Sequence, residues 1–152
     1  MHITLASIGS PSRSQDSVDS LVRDYLKRSS AVARCGAEAF RNEAAFFNWV
    51  GRQKGRTEPS VLLLDGSGRQ MSSEALAEWL RARRDDGTQH VVFAIGPADG
   101  WSDEARAEGK RRGTLLSLGT MTLAHQLARL VMAEQIYRAC TILTGHPYHK
   151  GH

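Results

Sequence analysis

The segment that decides the fold reads VVFAIGPADG and runs from Val91 to Gly100. A continuous apolar run ends there in a turn that contains two glycines and a proline. Such runs are typical of strands that are buried on both faces of a parallel sheet. Three more apolar runs precede a glycine in the same way, and they cover Ile3–Ile8, Val61–Leu64 and Leu115–Leu118.

Helical patterns separate these runs. The clearest internal one follows Ser72 and Ser73, which are residues that commonly begin helices. Apolar residues then recur on one face of that segment, at Leu76, Trp79 and Leu80. The predicted helices are Gln15–Arg28, Glu43–Gln53, Ser73–Arg84, Ser102–Gly109 and Leu123–Thr144, and a weaker strand is predicted at Ala31–Cys35. The alternation predicts one three-layer α/β domain over residues 1–152, with a mostly parallel sheet.

The composition is that of a globular domain. Hydrophobic residues make up 41% of the 152 residues and charged residues 24%, so the default expectation is a packed core. The net charge of +4 favours an acidic partner such as nucleic acid. Cys35 and Cys140 form no CxxC pair, which predicts buried, reduced thiols. We expect a cytoplasmic protein, because the first residues do not resemble a signal peptide and no apolar run reaches membrane-spanning length.

Glycine-containing loops follow three of the predicted strands, at Leu64–Gly68, Gly96–Gly100 and Leu118–Thr122. In parallel α/β sheets, ligands bind beyond the carboxyl ends of the strands, where such loops meet. The chain has neither a GxGxxG nor a GxxxxGK[ST] motif, so a dinucleotide fingerprint or a P-loop is not predicted.

The last helix is apolar on two faces. One stripe contains Leu123, Leu127, Leu130 and Val131, and a stripe on nearly the opposite side contains Ala128, Met132, Ala139, Cys140 and Leu143. A helix of this kind is covered on both sides. Its own sheet can cover one side, and we expect the second side to pack against another copy of the chain in a two-fold dimer.

Polar residues continue the first stripe and lead into the tail HPYHK, His146–Lys150. Glu134 and Arg138 are spaced for an ion pair on a helix surface. If that surface is buried, Arg138 also needs an anionic partner, such as a phosphate or carboxylate of a ligand. Metal binding is not favoured, because His146, His149 and His152 lack a matching set of Cys, Asp or Glu ligands.

The C-terminal segment LGTMTLAHQLARLVMAEQIYRACTILTGHPYHK, Leu118–Lys150, resembles the signature of the RlmH family, most specifically in EQIYRA and PYHK. The family methylates N3 of a pseudouridine in 23S rRNA of the 70S ribosome. The resemblance implies a SPOUT fold with a C-terminal trefoil α/β knot, S-adenosylmethionine as methyl donor and a homodimer. Two alternatives are methylation of another RNA position, such as a tRNA ribose, and a ribosome-binding factor without catalytic activity.

The resemblance also assigns residues. Those expected at the cofactor are Leu64, Gly96, Pro97, Asp99, Gly100, Leu118, Gly119, Thr120, Met121, Thr122 and Leu123. Arg138, His146, Tyr148 and His149 are expected beside the substrate nucleotide. A base near neutral pH suits deprotonation of N3, so His149 is the first candidate and His146 the second. Arg138 would hold phosphate or stabilise developing charge, and Tyr148 would contact the base. Alternatively, the tail only shapes the pocket and water takes the proton.

Two residues depart from the family pattern. Pro97 stands where a glycine is common and removes an amide donor. Ala124 replaces a common proline before His125, which matches a family histidine and is expected to support the loop.

Six basic residues are expected to contact the RNA backbone, and the alternative is that they only form a solvated surface. They are Arg52, Lys54, Arg56, Lys110, Arg111 and Arg112.

Overall fold

The computed structural model describes residues 1–9, 16–53 and 55–151, so Gln15, Lys54 and His152 lie outside the described residues. Its strands are β1 (His2–Ile8), β2 (Arg34–Phe40), β3 (Ser60–Gln70), β4 (His90–Ile95) and β5 (Gly113–Ser117). Its helices are α1 (Asp16–Ser29), α2 (Glu43–Arg52), α3 (Ser73–Asp85), α4 (Asp103–Arg112) and α5 (His125–Thr144), and the tail ends in a 3-10 turn, His149–Gly151.

The five strands form one sheet in the order β2-β1-β4-β3-β5. All four described strand pairs are parallel, so the carboxyl ends of the strands lie at a common edge. Helices α1, α3 and α5 pack on one face of the sheet, and α2 and α4 pack on the other. The predicted three-layer α/β class is confirmed, and the trefoil knot stays a prediction.

Each face of the sheet has its own apolar core because side chains alternate along the strands. In β4, Val91 and Phe93 face α1, α3 and α5, whereas Val92 and Ala94 face α2 and α4. The central strands are therefore apolar on both faces, as the continuous runs in the sequence predict.

Helix α5 ends at Gly145, which has the left-handed φ of 72° expected of a glycine that ends a helix. Met132, Ile136 and Ala139 are buried against the sheet. On another side of the helix, Leu127 is 48% exposed in the single chain. The sheet thus covers one of the two predicted stripes, and the dimer contact stays a prediction.

Two predicted elements differ from the structure. The predicted strand Ala31–Cys35 is wrong in its bounds, because β2 begins at Arg34 and continues to Phe40. It is an edge strand with largely exposed side chains, so it lacks the apolar run that marks a central strand. The predicted loop after Leu64 is also wrong, because β3 continues to Gln70 through a register shift between Leu64 and Arg69.

Both cysteines are free thiols. Burial raises the pKa of Cys140 to about 11 and that of Cys35 to about 12. Both thiols therefore stay protonated near neutral pH. The predicted burial is confirmed for Cys140 and is wrong for Cys35, which is only partly buried at the edge strand β2.

Candidate active site

A cavity of about 340 Å³, called the loop pocket below, lies over the carboxyl ends of β4 and β5 and beside Leu64–Gly66, where β3 shifts its register. Its volume lies in the range of small-molecule sites. Ten of the residues predicted from the family pattern line it: Leu64, Gly96, Pro97, Gly100, Leu118, Gly119, Thr120, Met121, Thr122 and Leu123. The eleventh, Asp99, lines a neighbouring cleft over the end of β1 instead.

Backbone turns build the walls of the loop pocket. Gly100 and Gly119 have φ values of 91° and 125°, which favour glycine. The Ser117 hydroxyl accepts a hydrogen bond from the Gly119 amide at 3.2 Å and donates one to the Gly119 carbonyl at 3.0 Å. A ligand would therefore meet a preformed surface of peptide groups and aliphatic side chains.

Trp101 connects the loop after β4 with Leu64 of β3. Its indole Nε1 donates a hydrogen bond to the Leu64 carbonyl at 2.8 Å, and the residue is only 3% exposed. The indole also explains why position 96 is glycine, since a Cβ on Gly96 would lie 2.7 Å from Nε1. Nothing in the sequence assigned Trp101 to the site.

Asp65 adds a fixed negative charge to the loop pocket. Its carboxylate accepts hydrogen bonds from the Ser67 amide at 3.0 Å and from Arg106 Nε at 3.0 Å. Burial by itself would raise the pKa of Asp65, but the hydrogen bonds from Ser67 and Arg106 outweigh it and hold the pKa below its ordinary value. Asp65 is therefore ionised near neutral pH.

His125 presents an unpaired polar atom at the start of α5. It lines the loop pocket, and its Nδ1 lies 3.2 Å from the Gln126 side-chain nitrogen. Its Nε2 is buried and has no hydrogen-bond partner among the described residues. A buried polar atom without a partner is costly, so a ligand in this pocket would find a hydrogen-bonding group already desolvated.

A second cavity, of about 360 Å³, extends from the loop pocket toward α3 and α5. The two cavities share the wall Leu116–Gly119. The far side of the second cavity includes Ser73 and Gln135, whose side chains are joined by a hydrogen bond of 2.6 Å. Gln135 in turn donates to Glu134 at 2.8 Å, so a continuous path of contacts connects the loop pocket with the tail.

Four side chains form a network at the end of α5, called the tail cluster below: Glu134, Arg138, Tyr148 and His149. Arg138 donates to Glu134 Oε1 through Nη2 at 2.6 Å and through Nε at 3.0 Å. Its Nη1 lies 3.1 Å from His149 Nδ1. The Arg138 side chain is 14% exposed, so the ion pair predicted from the sequence exists but is largely buried.

Tyr148 closes the tail cluster. Its hydroxyl donates to Glu134 at 3.0 Å, and its ring lies 4.9 Å from the Arg138 guanidinium carbon. Burial and the hydrogen bond to Glu134 raise the pKa of Tyr148 to about 12. The phenol therefore stays protonated at neutral pH and acts as a donor.

The structure brings three of the four predicted substrate residues together. His146 is exposed, and its Nδ1 accepts the Tyr148 amide at 3.2 Å, so it shapes the turn outside the cluster. A fifth side chain, Glu74 of α3, reaches His149 Nε2 at 2.7 Å. Within residues 1–9, 16–53 and 55–151, no group of three His, Cys, Asp or Glu side chains could hold a metal ion, and no helix could span a membrane.

A comparison with protein families matches residues 1–149 to a family described as predicted SPOUT methyltransferases. A ribosomal RNA large subunit methyltransferase H from Koribacter versatilis is 45% identical over 138 residues, which are 91% of this chain and 92% of that relative. Its namesake from Trichlorobacter lovleyi is 48% identical over 89 residues, 59% of this chain and 56% of that relative.

A solved structure shares the fold. It is a ribosomal RNA small subunit methyltransferase E from Neisseria gonorrhoeae bound to S-adenosyl methionine, with a TM-score of 0.51 and 14% identity. The match covers 94% of this chain and 66% of that longer chain. The family that the tail motifs indicate is thereby confirmed: the chain belongs to the SPOUT methyltransferases, in the group of ribosomal RNA large subunit methyltransferase H.

Proposed function

We propose that this protein is an S-adenosylmethionine-dependent methyltransferase that methylates N3 of a pseudouridine in 23S rRNA of the assembled 70S ribosome, in the cytoplasm. The family and the names of the relatives support an rRNA substrate. The observation that carries the proposal is the pairing of two sites: a backbone-lined loop pocket and, next to it along α5, the buried tail cluster.

The loop pocket fits the cofactor in polarity. The Asp65 carboxylate, whose charge Arg106 partly offsets, offers hydrogen-bond acceptors, and the turns at Gly96–Gly100 and Leu118–Leu123 offer peptide groups and apolar side chains to a nucleoside. His125 Nε2 is available for one further hydrogen bond. When bound, S-adenosylmethionine supplies an electrophilic methyl group on a positively charged sulfur.

Pro97 can stand in this site because the turn keeps its shape without the missing amide. The turn is closed by a hydrogen bond from the Gly100 amide to the Pro97 carbonyl, at 2.9 Å, which does not need an amide on residue 97. The family departure at this position thus removes one donor but leaves the fold of the loop intact.

The tail cluster fits the methyl acceptor. N3 of a pseudouridine carries a proton that must leave before the nitrogen becomes a good nucleophile, and His149 is the titratable group in the cluster suited to take it near neutral pH. Arg138 offers a cation for an RNA phosphate or for charge on the base carbonyls. Tyr148 fixes Glu134 and covers the guanidinium with its ring.

The apolar surface beside the loop pocket supports the proposed homodimer. Met121 is 84% exposed in the single chain and belongs to the loop that lines the pocket. Leu118 and Leu127 are also exposed large apolar side chains near the start of α5. A second copy packed on this surface would bury them and complete the mouth of the pocket.

The described members of the predicted basic set, Arg52, Arg56 and Lys110–Arg112, lie near the amino ends of the strands, on the side of the sheet opposite the loop pocket, whereas Lys54 lies outside the described residues. A Cβ on Gly51, next to Arg52, would lie 4.0 Å from Arg112, so the ends of α2 and α4 are neighbours. Glu108 pairs with both Arg111 and Arg112 and offsets part of their charge. We assign this patch to the RNA backbone away from the target nucleotide, where contacts add affinity without sequence specificity.

The test is transfer of labelled methyl groups from S-adenosylmethionine to purified 70S ribosomes and, in parallel, to tRNA. We expect label in 23S rRNA at one pseudouridine, and a sharp loss of transfer with His149→Ala. His146→Ala is the matched control within the tail, because that side chain lies outside the tail cluster.

Label in tRNA instead of rRNA would reject the proposed substrate. Undiminished transfer by His149→Ala would reject the role of His149 and leave proton removal to water. Binding of S-adenosylmethionine without transfer to either RNA would contradict the proposed reaction.

A further inference from the structure

Glu74 connects the tail to a second helix. Glu74 lies in the first turn of α3. Ser72 caps this helix, because its hydroxyl accepts the Ala75 amide at 3.0 Å. Its carboxylate lies 2.7 Å from His149 Nε2. The hydrogen bond between Ser73 and Gln135 holds the same end of α3 against α5. The position of Glu74 relative to the tail cluster is therefore fixed by packing of the two helices.

The contacts of His149 determine which ring nitrogen carries the proton. Arg138 Nη1 lies 3.1 Å from His149 Nδ1, and a guanidinium can only donate hydrogen bonds. Nδ1 must therefore accept, which leaves the proton on Nε2, where it is donated to Glu74.

We propose that Glu74 is a positioning residue, which holds His149 in the Nε2–H tautomer and so makes Nδ1 the atom that removes the N3 proton. This inference rests on the proposed function. In the step, the N3–H proton passes to Nδ1 and the electron pair stays on N3. The imidazolium that forms donates Nε2–H to the Glu74 carboxylate, which stabilises its charge.

Arg138 covers the reactive atom in the free protein. Its guanidinium is shared between Glu134 and His149 Nδ1. When the guanidinium turns to an anionic group of bound RNA, the lone pair of Nδ1 becomes available. The base thus becomes active in the presence of its substrate, while Glu74 keeps the ring oriented.

A structural role alone does not account for the Glu74 contact. The Glu74 side chain is 65% exposed, and a polar contact that is this exposed contributes little to stability, whether or not His149 is charged. The hydrogen bond from His149 is the main reason that the pKa of Glu74 lies below its ordinary value. Glu74 therefore stays an anionic acceptor at neutral pH.

The test compares Glu74→Ala and Glu74→Gln with Glu78→Ala as the matched control. Glu78 lies one turn further along α3 and pairs with Arg81. Long-range ¹H–¹⁵N spectra of the free, full-length protein report the tautomer of His149, with His149→Gln to assign the signal. Steady-state methyl transfer to 70S ribosomes reports kcat and the KM for S-adenosylmethionine.

We expect the Nε2–H tautomer in the unsubstituted protein and in Arg138→Ala, where Glu74 alone accepts a hydrogen bond from the ring. A mixture of tautomers is expected only when Glu74→Ala is combined with Arg138→Ala, because Arg138 by itself also keeps Nδ1 an acceptor. We expect kcat of Glu74→Ala to fall roughly 10- to 100-fold, as for other carboxylates that orient a histidine, with the KM for S-adenosylmethionine unchanged. Glu74→Gln should keep the tautomer, because its amide oxygen accepts the same hydrogen bond, and recover part of kcat. Glu78→Ala should match the unsubstituted protein.

An Nδ1–H tautomer in the unsubstituted protein would overturn the inference, and so would an unchanged kcat in Glu74→Ala. The spectra require neither RNA nor cofactor, so they decide the tautomer independently of the reaction. If the unsubstituted protein transferred no methyl group to ribosomes, the proposed function and the role of Glu74 in the reaction would both be rejected. The spectra would still decide whether the tautomer assignment is right.

Discussion

The loop pocket and the tail cluster are neighbours along α5, but they are built from different chemical groups. The loop pocket consists mainly of turns, with Gly96, Gly100 and Gly119 at its bends. The tail cluster consists of side chains. The Glu134 carboxylate accepts hydrogen bonds from both Arg138 and Tyr148, and His149 joins the cluster through Arg138. The pocket should therefore be sensitive to added volume, and the cluster to lost charge and lost hydrogen bonds.

In the proposed function, this difference separates cofactor binding from the methyl-transfer reaction. A binding surface made of peptide groups keeps its shape when side chains at its rim change. A network of charged side chains depends on every member, because removal of one leaves a buried partner unsatisfied. Substitutions in the two regions should thus affect different measured quantities.

The largest effect is expected for Arg138→Ala. The substitution removes the cation from the tail cluster and leaves Glu134 partly buried without its counterion. Methyl transfer should fall by roughly 10²–10³-fold, as when an electrostatic donor is removed from an active site, with little change in cofactor affinity. Single-turnover transfer and calorimetric titration with S-adenosylmethionine measure the two quantities. An equal loss in both would contradict the separation of the two regions.

The next effect is expected for Gly96→Ala in the loop pocket. The new Cβ would lie 2.7 Å from Trp101 Nε1, so the indole must move and its hydrogen bond to Leu64 is lost. Overpacking of this kind lowers the free energy of unfolding by about 1–3 kcal/mol. Because the displaced indole also moves the wall of the loop pocket, calorimetry should show weaker cofactor binding than in the unsubstituted protein.

Gly66→Ala is the matched control for that substitution. Gly66 also lines the loop pocket, but a Cβ there would meet no atom within 4 Å. Its affinity for S-adenosylmethionine should stay near that of the unsubstituted protein. Equal weakening by both alanines would show that something other than the indole contact restricts position 96.

A smaller effect is expected for Trp101→Phe. The phenyl ring keeps most of the buried apolar surface but cannot donate to the Leu64 carbonyl. Loss of such a hydrogen bond lowers the free energy of unfolding by about 1 kcal/mol, which urea denaturation measures. Trp79→Phe is the control, because Trp79 packs on Phe93 and its indole has no hydrogen bond within the part of the chain that the structure describes.

The last prediction concerns the titration of Tyr148 at high pH, with Tyr148→Phe as the reference variant. The pKa of Tyr148 is raised from 10 to about 12, so the folded protein holds a proton in this range that the unfolded chain releases. Its contribution to stability is fully present below pH 10 and is lost as the pH rises through 12. Ultraviolet titration of tyrosinate should show one component near pH 12 that Tyr148→Phe lacks. Loss of a component near pH 10 instead would contradict the assignment.

The sequence predicts the two regions unequally well. The strand-glycine pattern leads to the loop pocket, because the carboxyl ends of parallel strands meet at one edge. Asp65 and Trp101 were missed, since a carboxylate after a strand and a tryptophan before a helix have many structural roles. Their contacts with Arg106 and Leu64 span 41 and 37 residues of the chain. No local pattern encodes such distances.

In the tail, too, local sequence patterns predict near contacts but not contacts between distant residues. The spacing of Glu134 and Arg138 predicts their ion pair, and the family motif indicates Tyr148 and His149. The motif also indicates His146, which the structure leaves outside the cluster. Glu74 could not be predicted, because it lies 75 residues from His149 and only the packing of α3 on α5 brings them together.

By itself the sequence determined the class of fold, the α5 helix with its glycine end, the family and most residues of the loop pocket. These follow from local hydrophobic period, turn-forming residues and short motifs, which act over a few residues. The tertiary structure alone decided the strand order, the true extent of β2, the indole contact at Gly96 and the contact between Glu74 and His149. Those depend on contacts between distant segments, and such contacts exist only after the helices and the sheet have packed together.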